Sequence, residues 1–271
     1  MSDVRPAAVA GMFYPEAPAA LAADVRAHLA RTEVRAGPGI AAPKALIVPH
    51  AGYMYSGAIA ALAYARLAAS RAVIRRVLLF GPAHRVSVRG LALPTANAFA
   101  TPLGVIAIDR EAAAAALKLP QICVSDAAHA LEHSLEVQLP FLQTVLDEFA
   151  LVPFVVGDAT PEEVAGVIEL LWGGPETLIV ISSDLSHYHR YAEARALDRA
   201  TADAILALTE TLDHEQACGA TSINGLNLAA RRHGLQSELI DLRNSGDTAG
   251  DKSRVVGYAS FALTSLAHER A

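Results

Sequence analysis

Leu178-Ile179-Val180-Ile181-Ser182-Ser183-Asp184-Leu185-Ser186-His187 is the stretch whose reading decides the fold. Its first four residues are apolar at every position rather than at alternate ones, and they run straight into Ser, Asp and His. A short run of this kind, rich in β-branched residues, reads as a strand buried on both faces, as in a parallel sheet covered by helices. Ala45 to Val48, Val77 to Phe80 and Leu151 to Val156 read the same way. Patterns of helical length lie between and around them: Ala19 to Ala30, Ala58 to Ala68, Glu132 to Leu146, Glu162 to Leu171 and Tyr191 to Leu208. This alternation predicts an α/β sandwich with a mostly parallel central sheet. Asn224 to Arg232 adds a helix, and Glu238 to Leu242 and Val255 to Leu263 are expected to close the sheet as strands.

The 271 residues, 53% of them hydrophobic, are enough for one large core, so residues 1–271 are expected to form a single domain. Arg35-Ala36-Gly37-Pro38-Gly39 is the one linker candidate, and it reads as joining the first helix to the first strand. The Ala-rich tract Glu111 to Leu117 is ordinary helix composition. The formal net charge is -6 and the basic residues are scattered, apart from pairs such as Arg75-Arg76 and Arg231-Arg232, which argues against a nucleic-acid partner. No run approaches the roughly 20 apolar residues of a membrane span, and Met1 to Pro6 lacks the apolar segment of a signal peptide. A cytoplasmic protein with no membrane partner is expected. Its two cysteines, Cys123 and Cys218, are then expected as reduced thiols. Cys123 sits in the apolar Leu119 to Val124 and reads as core.

How the apolar runs end bears on function. Ala45 to Val48 leads into Pro49-His50-Ala51-Gly52-Tyr53, Val77 to Phe80 into Gly81-Pro82-Ala83-His84, and Leu178 to Ile181 into Asp184 and His187. Ligands of open α/β sheets bind outside the carboxyl ends of the strands, where these segments can converge. Neutral imidazole is the commonest protein ligand of iron, zinc and copper, so His50 and His84 are candidate metal ligands. Either alone would more simply be a turn residue; the pair, each past a strand and flanked by Gly or Pro, favours a site. Asp184, three residues before His187, is placed to fix its tautomer and raise its basicity, which suits a general acid/base. The plainer alternative is a capping Asp184 beside a solvated His187. Cys218, ahead of a predicted helix, reads equally as a soft ligand or a structural thiol.

His129-Ala130-Leu131-Glu132-His133 matches the H-x-x-E-H pattern of inverted zinc peptidases, in which one helix carries both histidines. Ser125 to Ala128 instead reads as the approach to a helix beginning near Glu132. His133 is therefore expected in the wall of a site, contacting substrate, rather than as a zinc ligand of that type.

Taken together, Arg5 to Pro15, Pro49 to Gly57, Gly81 to His84, Glu132 to Pro140, Ser182 to His187 and Cys218-Gly219 resemble the Memo family, the protein B component of the AmmeMemoRadiSam system. The resemblance covers nearly the whole chain and implies a fold similar to that of class III extradiol ring-cleaving dioxygenases. It implies His50, His84 and Cys218 as metal ligands, with Asp184 and His187 lining the same pocket. It also implies a functional link to radical SAM and AMMECR1-type proteins. The dioxygenases hold Fe(II) with two histidines and a carboxylate. A thiolate in the third position donates more electron density and is itself oxidisable, so ring cleavage is not to be borrowed from them. Fe(II) is the leading metal, with Cu(I) or Zn(II) as alternatives.

Three functions compete at this level. The first is a metal-dependent redox enzyme acting on a small molecule, with His187 as acid/base, Asp184 orienting it and His133 contacting substrate or oxygen. The second is a metal-handling or peptide-binding scaffold, with Phe13, Tyr14, Tyr53 and Tyr55 available to line a groove. The third is a hydrolase using Cys218 with His187 and Asp184.

Overall fold

The computed structural model describes residues 3–32 and 42–265. The linker candidate Arg35 to Gly39 lies outside the described residues. In chain order the strands are β1 Val4–Arg5, β2 Ala45–Val48, β3 Arg76–Pro82, β4 Leu91–Leu93, β5 Ala98–Thr101, β6 Gly104–Ala107, β7 Ile122–Val124, β8 Ala150–Val156, β9 Thr177–Ser182, β10 His187–His189, β11 Leu235–Asn244 and β12 Val255–Ser265.

The large sheet runs β10-β12-β2-β9-β3-β8-β4-β7, with β11 also paired to β12. Its centre, β2-β9-β3-β8, is parallel. Its flanks are mixed: β12 pairs antiparallel with β2, β10 and β11, and β4 antiparallel with β8. The expected sandwich is thus present as an α/β domain on a mixed sheet. The parallel part is its centre, where the uninterrupted apolar runs lie. β2 and β9 are buried at every position, as both faces of the sheet require when helices cover them. Each fully buried Leu, Ile or Val there contributes about 1.5–3 kcal/mol of hydrophobic stabilisation.

A second, three-stranded sheet, β1-β5-β6, was not foreseen, nor were β4 and β7 of the large sheet. These strands have two to four residues each, too short for a periodic signature. The predicted helix Glu132 to Leu146 is two pieces, His133–Glu136 and Leu139–Val145. Pro140, which has no N–H to donate, stands at the start of the second. No described helix is long and apolar enough to cross a membrane.

Adjacent parallel strands end on the same edge of the sheet. Because β2, β9 and β3 are neighbours, the segments that follow them meet there: Pro49-His50, Ser183 to His187, and Ala83-His84.

Candidate metal centre

His50 is 2% exposed. Its Nδ1 lies 2.9 Å from Ser182 Oγ, and that hydroxyl donates its only proton to the Ser134 carbonyl at 2.6 Å. Ser182 Oγ also accepts from Gln138 Nε2 at 2.8 Å. The orientation of the Gln138 amide is itself fixed, since its Oε1 accepts from Tyr64 OH and its Nε2 donates to the Pro49 carbonyl. With its proton committed, Ser182 can only accept from the ring, so His50 carries its proton on Nδ1 and leaves Nε2 as a free lone pair. Burial, then the charges of His133 and His84, hold the His50 pKa well below its ordinary value. The ring is neutral, as a ligand must be.

His84 is arranged in parallel fashion by a different group. Its backbone N–H donates to Glu132 Oε2 at 2.7 Å, and its Nδ1 lies 2.9 Å from Glu132 Oε1. Glu132 is 2% exposed. Burial alone would raise its pKa, but the His84 ring and the N–H groups of Ser134 and His84 hold it at about 2. An ionised carboxylate accepts only, so His84 too keeps its proton on Nδ1.

His133 opens the short helix for which Glu132 is the N-cap, as the reading of a helix starting near Glu132 requires. Its ring stacks on His84 at 4.6 Å and stands edge-on to His50 at 5.4 Å. Burial lowers its pKa to about 4, against the pull of Glu132. One donor atom each from His50, His84 and His133 all lie within 4.8 Å of one another, the one group among the described residues with that property. The three histidines could therefore bind a metal, and neutral imidazole nitrogens are a donor set suited to Fe(II), Zn(II) or Cu. His129 takes no part: the helix Asp126–Ala130 stops before Glu132, and buried His129 Nε2 bonds the Ala92 carbonyl at 2.9 Å. The peptidase-like pattern is not one helix.

Cys218 also approaches His50. Its Sγ lies 3.4 Å from His50 Nε2 and accepts from the Asp184 N–H at 3.3 Å. The Cys218 N–H donates to the Asp184 carbonyl at 3.2 Å, so the two residues clasp each other. Gly219 lets this happen, because a Cβ there would come within 2.7 Å of Ser183 Cβ. Burial, reinforced by Asp184, pushes the thiol up to about 12. Without a bound cation Cys218 is a thiol beside His50.

Asp184 and His187 flank the histidines, but the carboxylate does not orient His187. Asp184 Oδ1 accepts from the His50 N–H at 2.7 Å, and burial raises its pKa to about 7 against the N–H groups of His50 and Ala51. The His187 ring bonds the Leu185 carbonyl instead, and burial lowers its pKa. Both residues line an open cavity of about 330 Å³ with Phe13, Tyr55, His133 and Tyr258. Tyr188, 63% exposed and at φ 63°, stands at its mouth.

Two buried carboxylates stand outside the candidates that the sequence singles out. Glu132 is one of them, behind His84. Glu136, fully buried, forms an ion pair with Arg5 and accepts from the N–H groups of Ala8 and Val9 at 2.8 and 3.0 Å. It thereby fixes the N-terminal segment whose Phe13 packs on His133 at 4.5 Å. The signal for both was an acidic residue next to apolar ones, where a charge is rarely buried without a partner.

The chain matches the model of the family described as "Memo-like protein" over residues 5–262. It is 37% identical over 270 residues to a MEMO1 family protein of Aquifex aeolicus, covering 94% of this chain and 97% of that one. It is 35% identical over 272 residues to a MEMO1 family protein of Methanosarcina barkeri, covering 95% and 99%. The solved structure of an uncharacterized protein from Escherichia coli K12 is similar with a TM-score of 0.48 at 14% identity, covering 80% of this chain and 98% of that one. On sequence and family model together, the chain belongs to the Memo family.

Proposed function

We propose that this chain is a metal-dependent oxidoreductase of dioxygenase-like architecture that acts on a small molecule. One observation carries the reading: three imidazoles converge within 4.8 Å beside an open cavity. In this reading His50 and His84 hold the metal, and His133 and Cys218, which both approach His50, complete the set. Fe(II) is the preferred ion, with Cu(I) or Zn(II) as alternatives; a bound iron would supply the redox step that no side chain here can perform. Phe13, Tyr55 and Tyr258 give the substrate an apolar bed, while His187 takes or gives a proton on the nitrogen not bonded to the Leu185 carbonyl. Asp184 acts by holding the His50 main chain.

Protein purified without oxygen is expected to bind Fe(II) stoichiometrically and to consume oxygen with a small-molecule substrate. His50→Ala and His84→Ala are expected to abolish iron binding; unchanged binding in both would sink the reading. The Cys218 thiol at 3.4 Å from His50 Nε2 favours a second reading, a metal-handling or peptide-binding scaffold, because sulfur prefers Cu(I). Tight Cu(I) binding that requires Cys218, without turnover of any substrate, selects it.

A further inference from the structure

We propose that Glu132 is the positioning carboxylate of this centre. It sets the tautomer of His84 and aims its ring, controlling metal affinity without touching the metal. The proposal rests on the reading of the three-histidine group as a metal site.

The side chain of Glu132 is 1% exposed and both its oxygens are used. Oε2 accepts from the His84 main-chain N–H at 2.7 Å, and Oε1 from the Ser134 N–H at 2.9 Å. Those bonds fix the carboxylate. Oε1 then lies 2.9 Å from His84 Nδ1 and 3.4 Å from His133 Nδ1. The Ser134 N–H and the His84 ring fill the two lone pairs of Oε1, so His84 is the ring it holds by a hydrogen bond, while His133 stands in electrostatic reach of the same anion. His133 follows by packing, since its ring stacks on His84 with centroids 4.6 Å apart and planes 24° apart. A carboxylate behind a ligand imidazole fixes its orientation and raises its basicity, and removing such a partner costs about 10–100-fold in metal affinity. His50 differs, since a neutral serine hydroxyl stands behind it. The centre is therefore asymmetric: His84 has an anionic support, whereas His50 has a neutral one.

Glu132→Gln preserves shape but brings an amide NH2 against hydrogen-bond donors whichever way it turns. Facing the rings, it forces the His84 proton onto Nε2 and removes the lone pair. Facing the other way, it opposes the His84 N–H.

Two measurements test the proposal. Nitrogen-15 NMR of the metal-free wild-type protein is expected to show His84 protonated on Nδ1; a proton on Nε2 overturns the proposal whatever the metal affinity, and needs no variant. Titration with Co(II), followed by its visible absorption, is expected to show about 10–100-fold weaker binding and an altered spectrum in Glu132→Gln. Unchanged affinity and spectrum in a folded Glu132→Gln protein overturn it. A wild-type protein that binds no Co(II), Fe(II) or Zn(II) refutes the metal reading instead, a result separable from the NMR outcome.

Discussion

Ser182 Oγ stands 2.9 Å from His50 Nδ1 and 2.6 Å from the carbonyl of Ser134, and that pair of contacts settles which nitrogen of His50 is free. Ser182 is the last residue of β9, and His50 lies two residues past β2, its parallel neighbour. Ser182→Ala removes a buried hydroxyl that serves three partners. The cost is expected to be about 1–3 kcal/mol, since Gln138 Nε2 keeps the Pro49 carbonyl but His50 Nδ1–H and the Ser134 carbonyl lose theirs. Chemical denaturation measures the loss. Co(II) titration should show weaker binding as well, because nothing then holds the His50 proton on Nδ1.

The N-terminal segment is held to the site by a buried ion pair. Arg5 and Glu136 side chains are 5% and 0% exposed, and Arg5 Nε and Nη2 donate to the carbonyls of His129 and Glu132 at 3.0 and 2.8 Å. Arg5→Leu leaves Glu136 as an unpaired buried charge and is expected to cost about 3–5 kcal/mol in urea unfolding. Replacing both, as in Arg5→Leu with Glu136→Leu, should recover less than the pair alone suggests, because Glu136 also serves the N–H groups of Ala8 and Val9. A double variant as stable as wild type would contradict this role for the carboxylate.

The parallel centre of the fold was legible because runs such as Leu178 to Ile181 are apolar on both faces, a pattern only a covered strand requires. His50, His84, Asp184 and His187 were legible because each follows such a run. The short strands around Leu91 and Ile122 were not, since three residues show no period and they pair with each other and, through Leu91 and Ala92, with distant β8. Nor was the placement of His133 among the other histidines. It depends on the break between Ala130 and His133, and on Glu132 turning back to meet His84, a contact 48 residues apart. The Asp184–His187 pairing failed for a local reason: β10 pairs with β12 at His187, carrying that ring away while the Asp184 carboxylate turns to the His50 main chain.

Two buried groups away from the centre give stability opposite pH slopes. Asp198, 2% exposed, has its pKa raised to about 6 by burial, against the Ser186 N–H that it accepts at 3.0 Å. The folded chain keeps that proton while the unfolded chain has released it, so stability falls as pH rises from about 4 to 6. Asp198→Asn should remove a cost on the order of 2–3 kcal/mol, seen at pH 8 and absent at pH 4. His129, lowered to about 4 by burial, acts the other way. Its unfolded form takes a proton below about 6.5 and its folded form declines it until about 4, so stability is lost as pH falls through that window. His129→Gln, whose amide can still donate to the Ala92 carbonyl, should flatten the acid side of the curve. Thermal melts of both variants between pH 4 and 8 decide the signs.

Whether Cys218 joins the histidines in the set can be tested by separating sulfur from nitrogen. Cys218 Sγ and His133 both approach His50, and the thiol is protonated until a cation displaces the proton. Metal binding through Cys218 must therefore release one proton that binding through His133, already neutral, does not. Isothermal titration in buffers of different ionisation enthalpy counts that proton directly. The wild type is expected to release about one proton per Co(II) at pH 7 and to show a sulfur-to-cobalt charge-transfer band in the near ultraviolet. Cys218→Ala should lose both the proton and the band, yet still bind Co(II) through His50, His84 and His133. His133→Ala should keep both signals and bind about tenfold more weakly or worse, the loss of roughly 1.4 kcal/mol or more. A wild-type protein that binds Co(II) with no proton release and no such band places the sulfur outside the coordination set, leaving a centre of three imidazoles.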